Sequence, residues 1–307
     1  MTLSKWRNLK IGQRCDGMHS TLFLYGSLGL GVLFLSTSAI FVKLAEAPSG
    51  IIAFYRLLFT LCFLIPALLC RKKEREQLLR LNGRQMTLAV VSGALLAVHW
   101  VMWFESLRYT SVASSTVLVS LQPLFSILWG WLLLHEKVSR QGMAGVLLAI
   151  VGSVIIGWGD FRVSGAAFWG DVLSFASAGV ISLHFLFGQL LRKELDVLPY
   201  TTVCYSASTF CLAVYALVTG QGFNGYSLQT WGCFLGLAMF ATVGGQCVFN
   251  LLLKYLPATA VTMGILGEPV GTIILAFLLF GEKIAQQQGL GMLCILGGLW
   301  IYFSRKQ

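Results

Sequence analysis

Apolar residues run along this chain in long unbroken blocks, separated by short polar segments. The blocks cover residues 22–42, 49–70, 85–107, 111–134, 142–158, 167–191, 199–219, 230–252, 257–280 and 287–303. A helix of about 17 to 25 apolar residues crosses a ~30 Å hydrocarbon core. A strand-built barrel would instead alternate apolar and polar positions in segments of about ten residues. The pattern therefore predicts an all-α membrane protein with ten transmembrane helices.

Composition agrees with that pattern. Of 307 residues, 57% are hydrophobic and only 11% charged, against roughly a quarter charged in soluble domains. No stretch is left over for a soluble domain. The formal charge of +10 could suggest nucleic acid, but its distribution follows the membrane instead. With the amino terminus in the cytoplasm, 17 of the 22 basic residues fall in inside segments, six of them in "RKKEREQLLRLNGR". The outside loops hold Lys43, Arg108, Arg162 and Lys283, and Arg56 lies within the second span. The positive-inside rule then places both termini in the cytoplasm of a multi-pass cytoplasmic (inner) membrane protein. The lipid bilayer is a partner and nucleic acid is not. The first twenty residues are polar and basic, so the first block is expected to stay as an anchor rather than be cleaved. The eight cysteines show no CxxC pair and no metal-ligand spacing, and read as reduced packing residues. No cofactor is called for.

The chain also repeats itself. "LRYTSVASSTVLVSLQPLFSILWGWLLLHEKVSRQGMAGVLLAIVGSVI" aligns without a gap on "LKYLPATAVTMGILGEPVGTIILAFLLFGEKIAQQQGLGMLCILGGLWI", at a constant offset of 146 residues. Tyr109 falls on Tyr255, Pro123 on Pro269, Glu136-Lys137 on Glu282-Lys283, Gly145 on Gly291 and Gly152 on Gly298. Chance would align apolar residues, but rarely these polar and conformationally special ones in one register. Five spans per copy is an odd number, so the second copy must enter the membrane from the opposite side. Inverted repeats around a midplane site are the architecture of secondary transporters. The expected organisation is a basic tail (1–21), a first five-helix repeat (22–158), a short external linker (159–166), a second repeat (167–303) and a tail (304–307).

Each half ends in a proline, about a dozen apolar residues, Glu-Lys and a glycine-rich span: "QPLFSILWGWLLLHEKVSRQGMAG" and "EPVGTIILAFLLFGEKIAQQQGLG". With the early "FVKLAEAPSGIIAFYR", these motifs resemble the ten-span EamA-domain branch of the drug/metabolite transporter superfamily, over residues 22–303. The resemblance implies transport by alternating access. It leaves the substrate open, because members carry amino acids and their derivatives, nucleosides, sugars and other metabolites.

Several residues could carry that transport. A charge at the centre of a spanning helix costs about 2.5–3.5 kcal/mol, so Glu268 in "LGEPV" needs an interior setting. It could bind a substrate ammonium or take a proton, or be a structural carboxylate; its repeat partner is Gln122. In the third span His99 and Trp103 share a helix face, and Trp100 with Phe104 makes its neighbour. The offset puts Trp100 on Gln246 and Phe104 on Asn250, giving a cavity with an aromatic side and an amide side, unless the tryptophans face lipid. His184 in the sixth span and His99 could relay protons or be hydrogen-bonded structural residues. Arg56 could snorkel, pair with a carboxylate or meet substrate. Pro123 and Pro269 mark helix breaks, and Glu136 and Glu282 are candidates for capping or gating. No HExxH, GxSxG or paired-aspartate signature points to an intramembrane enzyme. The expected function is secondary transport of a small polar or amphipathic metabolite by a functional monomer, with export of an amino acid or related compound favoured and proton coupling through Glu268. The rivals are an exporter of drugs or other amphiphiles and an importer of a nucleoside- or amino-acid-derived metabolite.

Overall fold

The computed structural model describes residues 21–110, 112–157, 165–281 and 284–304. The tail residues 1–20 and 305–307, most of the linker, and Glu282 with Lys283 lie outside the described residues. In chain order the helices are α1 (Thr21–Leu44), α2 (Ser49–Cys70), α3 (Lys72–Leu79), α4 (Gly83–Tyr109), α5 (Val112–Val119), α6 (Gln122–Leu134), α7 (Arg140–Gly157), α8 (Gly165–Arg192) and α9 (Val197–Val218). They continue as α10 (Leu228–Gly236), a π-helical segment (Leu237–Gln246), α11 (Cys247–Leu252), α12 (Ala258–Ile265), α13 (Glu268–Phe280) and α14 (Gln286–Phe303). Among the described residues there is no strand.

Among the described residues, eight segments are long and apolar enough to cross a membrane. They are α1, α2, α4, α8, α9 and three composite rods: α5 with α6, α10 through α11, and α12 with α13. The other two expected spans fall short of that measure. Arg140–Ile156 in α7 is a shorter apolar helix, and α14 opens on three glutamines and carries four glycines. These two helices pack on each other through their glycines. A Cβ at Gly145 would stand 2.7 Å from the Gly298 carbonyl oxygen, and one at Gly152 would stand 2.5 Å from that of Gly291. Such close backbone approach is how helices associate where lipid supplies no hydrophobic drive. The offset of 146 turns the Gly145–Gly298 contact into Gly291–Gly152, so the repeat exchanges the two helices.

Helix boundaries obey the same offset to the residue. It carries α5 onto α12, α6 onto α13 and α7 onto α14. Both α6 and α13 have a proline in their first turn, where its missing N–H costs nothing. Each proline starts a new helix after a break, rather than kinking a continuous one. Both helices stop at a left-handed residue, His135 (φ 56°) and Gly281 (φ 66°), of the kind that caps helix carboxyl ends.

Candidate functional site

Arg56 is only 2% exposed and lies two turns inside α2, so it does not snorkel. Its Nε donates to Thr242 Oγ1 at 2.7 Å and its Nη1 to Ser38 Oγ at 3.3 Å. Its guanidinium carbon sits 4.5 Å from the centre of the Trp100 ring, a cation–π stack that strengthens in a desolvated setting. Thr242 reaches Arg56 from the π-helical segment, where its hydroxyl also donates back five residues to the Leu237 carbonyl oxygen. The extra residue in each π turn re-aims side chains, which is why such segments recur at functional sites. The adjacent Gly244 and Gly245 let this segment approach Phe34, Gly31 and Leu35 of α1.

No carboxylate lies within ion-pair distance of Arg56 among the described residues. Glu268 is the carboxylate near enough to act on it electrostatically. Glu268 is the first residue of α13, half-buried, and no described side chain hydrogen-bonds its carboxylate. Its backbone, by contrast, is pinned: Ser36 Oγ lies 3.1 Å from the Glu268 carbonyl oxygen and 2.8 Å from its own helix's Val32 carbonyl oxygen. The first half repeats this arrangement bond for bond. Ser182 Oγ lies 2.8 Å from the Gln122 carbonyl oxygen and 2.7 Å from that of Ala178. The offset relates all three pairs: Ser36 to Ser182, Val32 to Ala178 and Glu268 to Gln122.

Around Arg56 stand polar atoms that burial has left without partners. Trp100 and Trp103 each keep an unpartnered Nε1, Gln246 an Nε2 and Asn250 an Oδ1. Buried polar groups are nearly always satisfied, so a cluster of exceptions marks a place where a ligand or water belongs. The tryptophan nitrogens are therefore turned inward rather than to a membrane interface. Trp100 and Phe104 rings are 5.4 Å apart, and His99 stacks parallel to Trp103 at 6.5 Å. On the amide side, Asn250 Nδ2 donates to Tyr205 Oη at 3.0 Å.

The two histidines fasten α4 to α8. His184 Nδ1 lies 2.9 Å from the Ser92 carbonyl oxygen and 3.0 Å from Ser92 Oγ; His99 Nδ1 lies 3.2 Å and 2.8 Å from the same atoms of Ser177. A carbonyl oxygen can only accept, so the carbonyl contacts form with the Nδ1–H tautomer, whereas the serine hydroxyls can donate to a bare Nδ1. His99 also adjoins the tryptophans. His184 stands apart with Ser92, Tyr200 and Cys204, its Nε2 unpartnered. Gln122 keeps an unpartnered Oε1 at the first-half break, and no hydrogen bond joins it to Arg56 or Glu268 among the described residues. Glu136 lies beyond the end of α6, where burial raises its carboxyl above the usual range, opposed by a hydrogen bond from Gln189. Its twin Glu282 is outside the described residues.

Sequence reasoning missed Tyr205, Thr242, Ser36 and Ser38. For Thr242 a signal existed, in the adjacent glycines of "ATVGGQ". The serines were legible only by extending the offset back to the first span.

Comparison with known proteins fits this geometry. An uncharacterized transporter of Archaeoglobus fulgidus is 25% identical over 286 residues, covering 91% of this chain and 96% of that protein. The riboflavin transporter ImpX of Fusobacterium nucleatum is 22% identical over 247 residues, covering 76% of this chain and 81% of that one. A solved crystal structure superposes with a TM-score of 0.80 at 15% identity, over 93% of this chain and 98% of its own, a likeness of fold. The model of the EamA-like transporter family matches twice, at residues 24–158 and 168–304. This protein is a multi-pass membrane transporter and belongs to the EamA-like transporter family.

Proposed function

We propose that this transporter carries a small polar or amphipathic metabolite across the cytoplasmic membrane by alternating access, through ten spans in two inverted five-helix repeats with both termini inside. Export of an amino acid or related compound is the favoured reading. The observation that carries it is a buried Arg56 and a Glu268 carboxylate without a side-chain partner, held apart inside the bundle next to orphaned indole and amide groups. A zwitterion supplies the two missing partners: its carboxylate complements the Arg56 guanidinium, and its ammonium complements Glu268. Trp100, Trp103 and Phe104 offer an apolar wall to its side chain. Glu268 is also the group assigned any proton coupling. One chain contains both halves of the pathway, so the monomer is the working unit.

A second reading rests on Gln246 and Asn250. An unpartnered amide donor and an unpartnered carbonyl acceptor one helical turn apart suit a flat heteroaromatic ligand of the kind named for the riboflavin-transporting relative.

Thermal stabilisation of the purified protein separates the readings, since a ligand at a hundredfold excess over its Kd stabilises by about 2.7 kcal/mol. Amino acids are expected to raise the melting temperature of the wild type and not of Glu268→Gln. A shift with riboflavin alone, equal in both proteins, supports the second reading. A shift with hydrophobic cations alone makes the protein a drug exporter and overturns both.

A further inference from the structure

The short helix α3 joins α2 to α4, and none of its residues is buried. A helix of this length does not hold in water by itself, so its support comes from what each face touches. One face is tied to the protein. Lys73 Nζ lies 3.0 Å from an Asp196 carboxylate oxygen, Gln77 Nε2 donates to the Glu194 carbonyl oxygen at 3.2 Å, and Gln77 Oε1 accepts from the Asp196 N–H at 2.9 Å. Lys73 and Gln77 are one turn apart, so all three contacts leave from the same side of the helix.

The far face has no such hold. Lys72, Arg75 and Leu79 follow one another at steps of three and four residues, on one side of the helix, and all are exposed, Leu79 by 79%. Lys72 lies 4.0 Å from Glu76, whose carboxylate also stands 3.9 Å from Arg80. Exposed pairs of this kind contribute little, and here two cations share one carboxylate. No carboxylate lies within ion-pair distance of Arg75 among the described residues. Its Nη1 is 3.4 Å from the carbonyl oxygen of Leu69, a residue in the last turn of the spanning helix α2 whose side chain is 55% exposed. Arg75 therefore sits at the edge where α2 leaves the lipid. From Arg71 to Arg84 the chain holds six basic residues and two acidic ones. The connection between α9 and α10 in the second half, residues 219–227, has neither a helix nor a charged residue.

We infer that α3 is a docking helix for anionic phospholipid headgroups, with Lys72, Arg75 and Leu79 as its lipid-facing side and Lys73 and Gln77 as its protein-facing side. Charge complementarity carries the choice of partner. Exposed cations beside an exposed leucine on one short helix suit a membrane interface, where the apolar group meets the acyl boundary and the cations lie among headgroups. The topology proposed above puts this surface at the cytoplasmic leaflet, whose acidic lipids attract basic segments next to a spanning helix.

Backbone hydrogen–deuterium exchange of the full-length protein in lipid nanodiscs tests this. In an equal mixture of phosphatidylcholine and phosphatidylglycerol the α3 amides are expected to exchange about tenfold more slowly than in phosphatidylcholine alone, since each basic residue at an anionic surface contributes about fivefold to binding. High salt should remove most of that difference. Lys72→Gln with Arg75→Gln should remove it at low salt as well, and leave the rates in phosphatidylcholine unchanged. Lys73→Gln, on the other face, should speed exchange in both lipids and keep their ratio; a lost ratio would put the lipid contact on the wrong side of the helix and overturn the assignment. Equal wild-type rates in the two lipids overturn it outright. So does a double variant that slows like the wild type, because the effect would then come from the charged surface as a whole and not from this face. Inorganic phosphate added to phosphatidylcholine nanodiscs should leave the rates as they are, and a matching slowdown would make α3 a site for free anions rather than for lipid. Both leaflets of a nanodisc hold the same lipid, so these outcomes depend neither on which end is cytoplasmic nor on what the carrier moves.

Discussion

After a turn at Ser120-Leu121, α6 begins at Gln122-Pro123, and after one at Leu266-Gly267, α13 begins at Glu268-Pro269, each start pinned by one serine hydroxyl from a facing helix. Backbone and clip are the same in both, yet the first residue is a buried amide in one half and a half-buried carboxylate in the other. The first half is therefore the reference for the second: whatever Glu268 does beyond starting a helix should be missing at Gln122. Helix geometry tolerates either residue at this position. The charge is what the second half adds, at an insertion cost of about 2.5–3.5 kcal/mol.

The largest effect should come from removing that difference. Glu268→Gln makes the two breaks alike, and we expect ligand-induced stabilisation and pH-dependent transport in proteoliposomes to fall at least tenfold, about 1.4 kcal/mol of binding. Moving the acid, by Glu268→Gln with Gln122→Glu, is expected not to restore transport, because Arg56, Trp100 and the π-helical segment do not face Gln122. Recovery of flux in that double variant would break the assignment. Arg56→Lys should follow closely in size. A lysine keeps the charge but has neither the planar face that lies on Trp100 nor the forked donors that reach Thr242 and Ser38. Wild-type affinity in Arg56→Lys would remove Arg56 from the ligand site.

The α7–α14 contact provides a purely structural counterpart. Gly145→Ala would place its new methyl against the Gly298 carbonyl oxygen, a backbone atom that cannot swing away. Overpacking of this kind costs about 1–3 kcal/mol, to be read as a lower melting temperature. Gly291→Ala, the repeat equivalent, should cost a similar amount, since its methyl meets the Gly152 carbonyl oxygen. Unequal losses would mean that the symmetry of this helix pair is only geometric.

Much of this was legible in the sequence because the repeat carries polar landmarks. Pro123 with Pro269 and Glu136 with Glu282 fixed an offset that the helix ends then follow to the residue. The site was less legible, for a physical reason. Glu268, Trp100, Gln246 and Asn250 stand out as single polar or aromatic residues in apolar blocks, whereas Arg56 acquires meaning only through Thr242, which a π-helical segment aims at it. Periodicity arguments assume 3.6 residues per turn, so a segment that departs from that spacing hides its own facing residues. The Ser36 and Ser182 clips hid differently. A serine in a membrane helix can satisfy itself on its own carbonyl four residues back, and nothing local announces that its proton is shared with a second helix. Ser36→Ala and Ser182→Ala sharpen this point. Each should cost about 1 kcal/mol for a lost shared hydrogen bond, but Ser36→Ala should also weaken ligand binding more, because its clip sets the direction of Glu268. Equal effects on binding would mean that the clip does not orient the carboxylate.

The smallest effect concerns the surface at the α12 end. Asp196, which precedes α9, lies 3.0 Å from Lys73 Nζ and 3.8 Å from Lys254 Nζ. The Lys73 hydrogen bond holds the Asp196 carboxyl below its usual range, and the same bond raises the Lys73 ammonium above its own. A depressed carboxyl contributes stability that is complete above its ordinary value, near 3.9, and fades as pH falls through its folded value. A raised ammonium contributes stability that is complete below its ordinary value, near 10.4, and is lost as pH rises through its folded value. The pair should therefore give a plateau between those limits, with a shallow acid limb that Asp196→Asn removes. High salt should flatten it too, since the lysine is solvent-exposed and screened. Superimposable melting curves for wild type and Asp196→Asn from pH 3 to 6 would show that this pair contributes nothing.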